Sequence, residues 1–587
     1  MAVENLITEH IDVWTSAVKT RSTSGRGSSK KLELYGVKKL RELILELAVR
    51  GKLVPQDPSD EPASVLLKRI AQEKAQLVKE KKLKKPKKLP NISDEEKPFD
   101  LPNGWSWIRL NEYGEWGSGS TPKRSNSGYY DGGIPWFKSG ELKADYISES
   151  EETITELALS ETSVRYNNVG DVLVAMYGAT IGKTAILSVR ATTNQAVCAC
   201  TPFTGLSNTY LLTILKAYKA RLIGMGAGGA QPNISREKII NTVIALPSTA
   251  EQHRIVAKVD ELMALCDQLE QQTEASIEAH QVLVTTLLDT LTNSADADEL
   301  MQNWARISEH FDTLFTTEES IDQLKQTILQ LAVMGKLVPQ DPSDEPAAEL
   351  LKRIAEEKAQ LVKEKKIKNQ KALPPISEDE KPFELPSGWE WCRLGDLELS
   401  SEAGWSPKCL DTPRSEDNWG VLKVSAVTWN QYNPMENKEL PNSLAPREHL
   451  EVQDGDFLIS RANTADLVAK AVIVPNDSPT HLMMSDKIIR FRFSDKVSSH
   501  YINLFNNSQF ARNYYSQVAG GTSSSMKNVS REQIKNLLIC LPPVATQTAI
   551  IDIVGCFFDI CEQLKQKVQE NQITQFQLTD AIVEQAV

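Results

Sequence analysis

The chain has 587 residues, a formal net charge of −12 and eight cysteines. That length holds about four units of roughly 150 residues, the acidic balance argues against non-specific coating of nucleic acid while leaving room for a local basic groove, and so few cysteines do not make a disulfide framework. Uninterrupted apolar runs fall short of the ~20 residues of a membrane span, and MAVENLITEHIDVW carries acidic residues where a signal peptide is basic, so the expected compartment is the cytoplasm, with no membrane partner.

Read from the N-terminus, the first motif is ITEHID at 7–12, which returns as ISEHFD at 307–312, an offset of 300. A much longer repeat follows: Ile44–Leu110 returns at Ile328–Leu394, an offset of 284, with 51 of 67 positions identical. A period of that size means two domain-sized halves with internal two-fold pseudo-symmetry, not a solenoid. Because 300 exceeds 284 by 16, the N-terminal copy carries 16 extra residues, which include RSTSGRGSSKK at 21–31 and read as a flexible tether. If the second half ends as the first does, the C-terminus at Val587 should lie beside residue 1. Lysines gather in KEKKLKKPKK (79–88) and KEKKIKNQK (363–371), either as solvated helix ends running into Pro-rich linkers or as phosphate contacts.

After each copy of the repeat comes a region, 111–232 and 395–528, that shows no comparable likeness to the other. Both read as compact α/β modules. In the first, GDVLVAMYG, KTAILSV and TTNQAVCAC are strand candidates and a helix is expected near Tyr210–Leu222; in the second, DGDFLISRA, AKAVIVP and DKIIRFRF precede a helix near Ser499–Gln517. Cys198 and Cys200 alternate within one such strand, as core residues do. Gly178 to Thr184 (GATIGKT) imitates a phosphate-binding loop but has three residues between its glycines where four are needed, and a β-branched strand pattern follows it in place of a helix. ATP binding is therefore not expected.

Between and after the modules lie two long helices. From about Thr249 to Asn293, Gln252, Ile255, Val259, Leu262, Cys266, Leu269, Ile277, His280, Val284, Leu287 and Leu291 recur every three or four residues without proline, a stripe roughly 65 Å long at 1.5 Å per residue. From about Ala545 to the C-terminus, Ile550, Val554, Phe557, Cys561, Leu564, Val568, Ile573, Phe576 and Ile582 do the same. Each stripe asks for a partner helix. The expected seam joins Val259, Leu262, Cys266 and Leu269 to Val554, Phe557, Cys561 and Leu564, the two helices packing antiparallel as a coiled coil. The resulting division is 1–97 N-terminal extension and helical region, 98–248 first module, 249–381 central helical region, 382–543 second module and 544–587 C-terminal helix. The seven histidines show no metal-ligand spacing, and neither the Asn/Asp-Pro-Pro-aromatic tetrapeptide of adenine methyltransferases nor any other catalytic constellation is present, so a non-catalytic chain without a metal is expected.

Two copies of PF-[DE]-LP-x-GW-x-W-x-RL, the module ending GGAQPNISREKI…LPSTAEQHRIVAKVDEL, and the order frame, module, frame, module, frame resemble the specificity subunits of Type I restriction-modification enzymes, over essentially the whole chain. The resemblance implies an α/β fold with two target-recognition domains separated by long helices. It implies that each domain reads one half of a split double-stranded DNA target, and that the constant helices dock methyltransferase subunits, two copies, with restriction and translocation subunits joining them. S-adenosylmethionine, ATP and magnesium would then sit on those partners and no cofactor on this chain. Unlike modules imply an asymmetric target, and a pseudo-dyad places them about one turn of B-DNA apart, roughly 34 Å.

Arg and Lys suit guanine or phosphate, Asn and Gln suit adenine, and Gly-rich loops let the backbone come close. On that basis the candidate DNA contacts of the first module are Lys123, Arg124, Lys138, Tyr177, Thr180, Lys183, Asn194, Gln195 and Gln231. Those of the second are Lys408, Lys423, Arg461, Asn463, Thr464, Lys487, Thr522, Ser523 and Lys527. GGAQPN and GGTSSSMKN close the two modules at equivalent places and read as loops facing DNA. A scaffold that binds protein or RNA is the alternative function.

Overall fold

The structure is a computed structural model that describes residues 3–22, 30–80, 89–226, 232–415, 417–428, 431–523 and 526–587. The chain divides into two compact units, 1–21 with 31–275 and 572–587, and 22–30 with 276–571. Six helices form the frame: α1 (Tyr35–Val49), α2 (Ala63–Lys79), α3 (Thr249–Asn293), α4 (Glu318–Val333), α5 (Ala347–Lys363) and α6 (Val544–Ala586). The long helices α3 and α6 thus begin and end within a residue or two of where their periodicity placed them. Each passes from one unit into the other, α3 after Ala275 and α6 after Asn571.

In the first unit α1 has Leu40, Leu43, Ile44 and Leu47 buried along one stripe. Its polar edges are tied to both long helices. Tyr35 donates to Asp580 at 2.8 Å and stacks edge-on against Phe576, Lys39 reaches the same carboxylate at 3.1 Å, and Arg41 pairs with Asp267 at 2.7 Å. In the second unit α4 takes the same place: Lys325 pairs with Glu562, Lys565 with Asp322, and Gln281 donates to Glu319. Repeated lysines meet the ends of the long helices, where carbonyls lack helical partners: Lys52 Nζ donates to Val587 O at 2.5 Å and Lys336 Nζ to Thr292 O at 2.9 Å. Val259, Leu262 and Cys266 are buried in the first unit and Val554 and Cys561 in the second, with Leu269, Phe557 and Leu564 half-buried. In the first unit Arg41 of α1 reaches α3 at Asp267 and Glu270, and in the second unit Val554 and Cys561 share one core cluster with Ile321, Leu324 and Ile328 of α4.

Among the described residues one helix, α6, is long and apolar enough by length and composition to cross a membrane, which a count of uninterrupted apolar runs did not register. Within the second unit, however, Ile550, Val554 and Cys561 are core residues of the cluster that holds Ile321, Leu324 and Ile328 of α4.

The two modules, unlike in sequence, share one topology. The first has β1 (Gly114–Ser118), β2 (Tyr130–Phe137), β3 (Tyr146–Ile147), β4 (Thr153–Ile154), β5 (Val172–Ala175), β6 (Thr184–Leu187), β7 (Thr192–Thr193) and β8 (Val197–Pro202), in sheets of order β1-β8-β5-β6-β3 and β7-β2-β4. The second has β9 (Glu398–Ala403), β10 (Gly420–Leu422), β11 (Asn437–Glu439), β12 (Phe457–Ser460), β13 (Ala471–Ile473), β14 (Leu482–Met483) and β15 (Ile488–Phe493), in sheets β9-β15-β12-β13 and β11-β10-β14. Apart from β3, and from a further sheet in the second module made by Ala462–Asn463, Met526–Asn528 and Gly520–Ser523, the described strands of the two modules correspond in the same order and sense, including the parallel pairs β2-β7 and β10-β14.

Each module is closed at its base by a two-stranded antiparallel ribbon, Ser106–Arg109 with Val243–Leu246 in one and Glu390–Arg393 with Leu538–Leu541 in the other. A buried arginine locks each ribbon. Arg109 donates to Pro90 O and Asn241 O and pairs with Glu96; Arg393 donates to Pro374 O and Asn536 O and pairs with Glu380. Helices α2 and α5 reach onto their modules through repeat-equivalent residues: Glu73 accepts from Thr204 and Lys74 donates to Asn111 O, while Glu357 accepts from Ser494 and Lys358 donates to Gly395 O.

Several expectations are corrected. The ends of the RSTSGRGSSKK tether are strands, Val18–Ser22 and Lys30–Leu34, which pair with each other; 23–29 lie outside the described residues, as do 81–88 of the first lysine run. Each single module helix is two, Asn208–Ala217 with Lys219–Gly224 and Ser499–Asn506 with Gln509–Val518. In the second module Ser508 supplies an N-cap oxygen to Ala511 and restarts the helix. TTNQAVCAC is likewise broken, because Asn194 accepts from Ala196 N and turns the chain between β7 and β8. Both described ends of the chain come to the first unit: Gly36 N of α1 bonds to Ala17 O, and Lys52, just beyond α1, bonds to Val587 O, while Met1 itself lies outside the described residues.

Leu262 is fully buried, whereas Leu265 on the same helix is 43% exposed. Leu262→Asp should cost several kcal/mol through an unpaired buried charge, and Leu265→Asp should leave the thermal midpoint close to that of the parent, a contrast readable by calorimetry.

Candidate nucleic-acid interface

The antiparallel register brings several strand ends together. In the first module Ser118 is paired with Cys198, Ala175 with Val197 and Val174 with Thr184, so β1 and β5 end where β6 and β8 begin. The connections at that end carry Lys123, Arg124, Tyr177, Thr180, Lys183, Asn194 and Gln195. Lys138 joins them because Phe137 O, at the end of β2, accepts Asn194 N at 3.0 Å. Gln231 lies outside the described residues.

The second module repeats the arrangement. Ala403 is paired with Ile489, Ser460 with Ile488 and Ile459 with Ala471, which puts Lys408, Arg461, Asn463, Thr464 and Lys487 at one end. Lys423 follows β10 there, since Trp405 N bonds to Met484 O beyond the neighbouring β14. GGTSSSMKN is not a loop: Gly520–Ser523 pairs with Met526–Asn528, which pairs with Ala462–Asn463, and the backbone of Thr522 and Ser523 together with Lys527 is thereby held beside Arg461. Sequence reasoning therefore assembled two clusters of residues that the fold gathers, each at one end of one module.

The roles within the clusters differ. Asn463 is occupied in its own turn, accepting from Thr464 N at 2.8 Å and donating to Thr428 Oγ1 at 3.2 Å, as Asn194 is in its own. Thr180 donates to Tyr177 O and Lys527 to Gly521 O. Lys123, Gln195, Lys408 and Lys487 are exposed. Lys138 pairs with Glu151 and Glu152, Arg124 with Glu152, and Lys423 with Glu436 at 3.5 Å. The Glu152 carboxyl is held below its ordinary range by the bonds from Arg124 and then Lys138, so the cluster keeps its charges well below neutral pH.

A short motif went unread in the sequence. Gly119-Ser120-Thr121-Pro122-Lys123 and Gly404-Trp405-Ser406-Pro407-Lys408 stand at an offset of 285 and follow β1 and β9. A Cβ on Gly119 would fall 2.2 Å from Thr193 O and one on Gly404 2.1 Å from Met484 O, so the turn onto the neighbouring strand admits only glycine. The hydroxyls behave alike: Thr121 bonds to Gln195 and Ser406 to Asp486. Three identical positions of five, with Thr121 and Ser406 alike in type and Ser120 and Trp405 unlike, are too short a signal against some 120 unmatched ones. Lys470 was also missed. Its carbonyl accepts Ser460 N as that of Lys183 accepts Ala175 N, which makes the two lysines equivalent. Burial, and then the charge of Arg512, brings its ammonium down to about 8. Among the described residues no His/Cys/Asp/Glu group could hold a metal ion.

Two alike modules in a repeated frame, each with amide, hydroxyl and basic side chains at one end, define a class of protein that presents paired recognition surfaces. Residues 102–279 match the family model described as the Type I restriction modification DNA specificity domain. Over its full length the chain is 48% identical to the Type I restriction enzyme EcoEI specificity subunit and 43% identical to the EcoAI specificity subunit, both of Escherichia coli and both covered completely. A solved structure described as the basis of complex assembly and conformational transition of the Type I restriction-modification system is 17% identical, covering 83% of this chain and 99% of that one, with a TM-score of 0.48. The chain belongs to the specificity subunits of Type I restriction enzymes, the subunits that recognise the DNA sequence.

Gly119→Ala and Gly404→Ala should each destabilise by roughly 1–3 kcal/mol, the usual range for forcing atoms into a packed site. Gly140→Ala, where a Cβ meets nothing within 4 Å, should not, and thermal melts of the three variants make the comparison.

Proposed function

We propose that this subunit reads a bipartite, asymmetric duplex target, the loop end of the module at 98–248 taking one half-site and that of the module at 382–543 the other. The observation that carries this is the shared strand order of two modules that differ in sequence, each turning the same end, with its own side chains, away from a frame that is 51 of 67 positions identical between copies. Constant packing with variable tips is what independent specification of two half-sites requires. The long helices serve as the spacer between the modules.

On this reading the chain itself is not catalytic. Two methyltransferase subunits dock on the helical frame and restriction subunits join them, and those partners hold S-adenosylmethionine, ATP and magnesium; the assembly works in the cytoplasm. The rival, a scaffold for protein or RNA, has no use for two unlike tips on like modules.

A competition experiment separates the two. With the methyltransferase subunits present, labelled duplex carrying the target should be displaced by unlabelled target duplex and not by RNA of the same length. Its affinity should fall steeply with salt as phosphate contacts release counterions, and the target-to-random ratio should survive the change better than the affinity itself. Equal displacement by RNA, or no preference for one duplex over another, would reject the proposal.

A further inference from the structure

Among the arginines of the structure, the structural ones are buried: Arg109, Arg393 and Arg490 have side chains no more than 7% exposed and spend their donors on carbonyls and carboxylates. Arg124 is the opposite case, 54% exposed and yet held on three sides. Its guanidinium carbon lies 4.7 Å from the ring centre of Tyr130 and 5.0 Å from that of Trp136. Those rings meet edge-on at 6.0 Å, and both are pinned to the loop that carries Arg124, Tyr130 Oη donating to Pro122 O at 2.6 Å and Trp136 Nε1 to Ser120 O at 3.1 Å. Nη1 meets Glu152, whose other oxygen takes Lys138 at 3.0 Å.

We infer that Arg124 reads a guanine in the half-site of the first module and that Glu152 is the residue that positions it. This rests on the DNA-reading role proposed above. Among the described hydrogen bonds Nη1 alone of the guanidinium is used, which leaves the Nε and Nη2 edge, the planar fork that fits guanine N7 and O6 in the major groove. A phosphate would ask for net charge, but here Glu141, Glu151 and Glu152 balance Arg124, Lys138 and Lys143. What the site offers is direction. An arginine that has already given up its rotamer freedom to two rings and a carboxylate loses less on docking. The second module puts Cys409 at the matched position after its own Pro-Lys pair, so this reader belongs to one half-site only.

The test is the methylated-adenine map of a host expressing the full chain with its methyltransferase subunits, read by single-molecule sequencing. The parent should methylate a bipartite site with a guanine–cytosine pair in the first module's half, identified by exchanging that module; absence of any bipartite site would defeat the DNA-reading role itself, separately from this inference. Arg124→Ala should lower discrimination at that one pair by roughly tenfold or more, and Glu152→Gln should lower it at the same pair by less, with the other half-site untouched by both. If Arg124→Ala abolishes methylation, Arg124→Lys decides, because it keeps charge and stem but not the fork: relaxation at the same pair supports the inference and an unchanged motif overturns it. An active Arg124→Ala protein with the parental motif, relaxation spread over both half-sites, or a first half-site without guanine–cytosine pairs would also overturn it.

Discussion

Everything variable in this protein is attached through one constraint, the closure of each module upon its own base. The incoming strand and the outgoing strand pair with each other, and a buried arginine collects the linker before the module, the strand within it and the turn that ends it: Pro90 O, Glu96 and Asn241 O around Arg109, Pro374 O, Glu380 and Asn536 O around Arg393. A buried arginine with its donors satisfied fixes geometry even where its net stabilisation is small, since removing it would strand several carbonyls without partners. The two ends of some 140 residues in the first module and some 150 in the second are thus held together whatever lies between. Frame residues outside the ribbon meet the module where α1 packs on the helix Asn208–Ala217 and α4 on the helices Ser499–Asn506 and Gln509–Val518, and through α2 or α5, where the repeat keeps Glu73 and Glu357, Lys74 and Lys358, in register. A module closed in this way can change its tip without moving its base.

The frame was the legible part of the chain. Helices α3 and α6 announce themselves because an uninterrupted 3.6-residue stripe over more than forty positions has no competing explanation. The stripe does not name its partner, however: any apolar ridge fits, and it is ion pairs such as Arg41 with Asp267 and Lys325 with Glu562 that record the repeated helices beside the long ones. The modules were harder. A strand of four buried residues, Val172–Ala175 or Phe457–Ser460, carries no alternation to mark its neighbours, so strand candidates could be found while the common order of two sheets could not. Breaks within elements came from single side chains, Asn194 and Ser508, whose capping is local and leaves the surrounding pattern intact.

For the candidate interface, residue type and loop position selected residues that the fold gathers at one end of each module but not the division of labour among them. Asn194 and Asn463 have the chemistry to bind adenine and spend it on their own turns. Arg124 and Glu152 are 28 residues apart and adjoin only because β2 and β4 pair between them. Lys470 takes its environment from Arg512 on a helix forty residues later. The net charge of −12 hides all of this, since the basic ends are a small part of a chain whose acidic residues are spread along the helices.

The central claim is that each module specifies its half-site alone. The most direct measurement replaces 98–248 with the corresponding module of another specificity subunit, keeps both ribbon arginines, and maps methylated adenines in a host supplied with the same methyltransferase subunits. The account predicts a hybrid target, with one half changed, the other half and the spacing between them preserved. A change in both halves would contradict it.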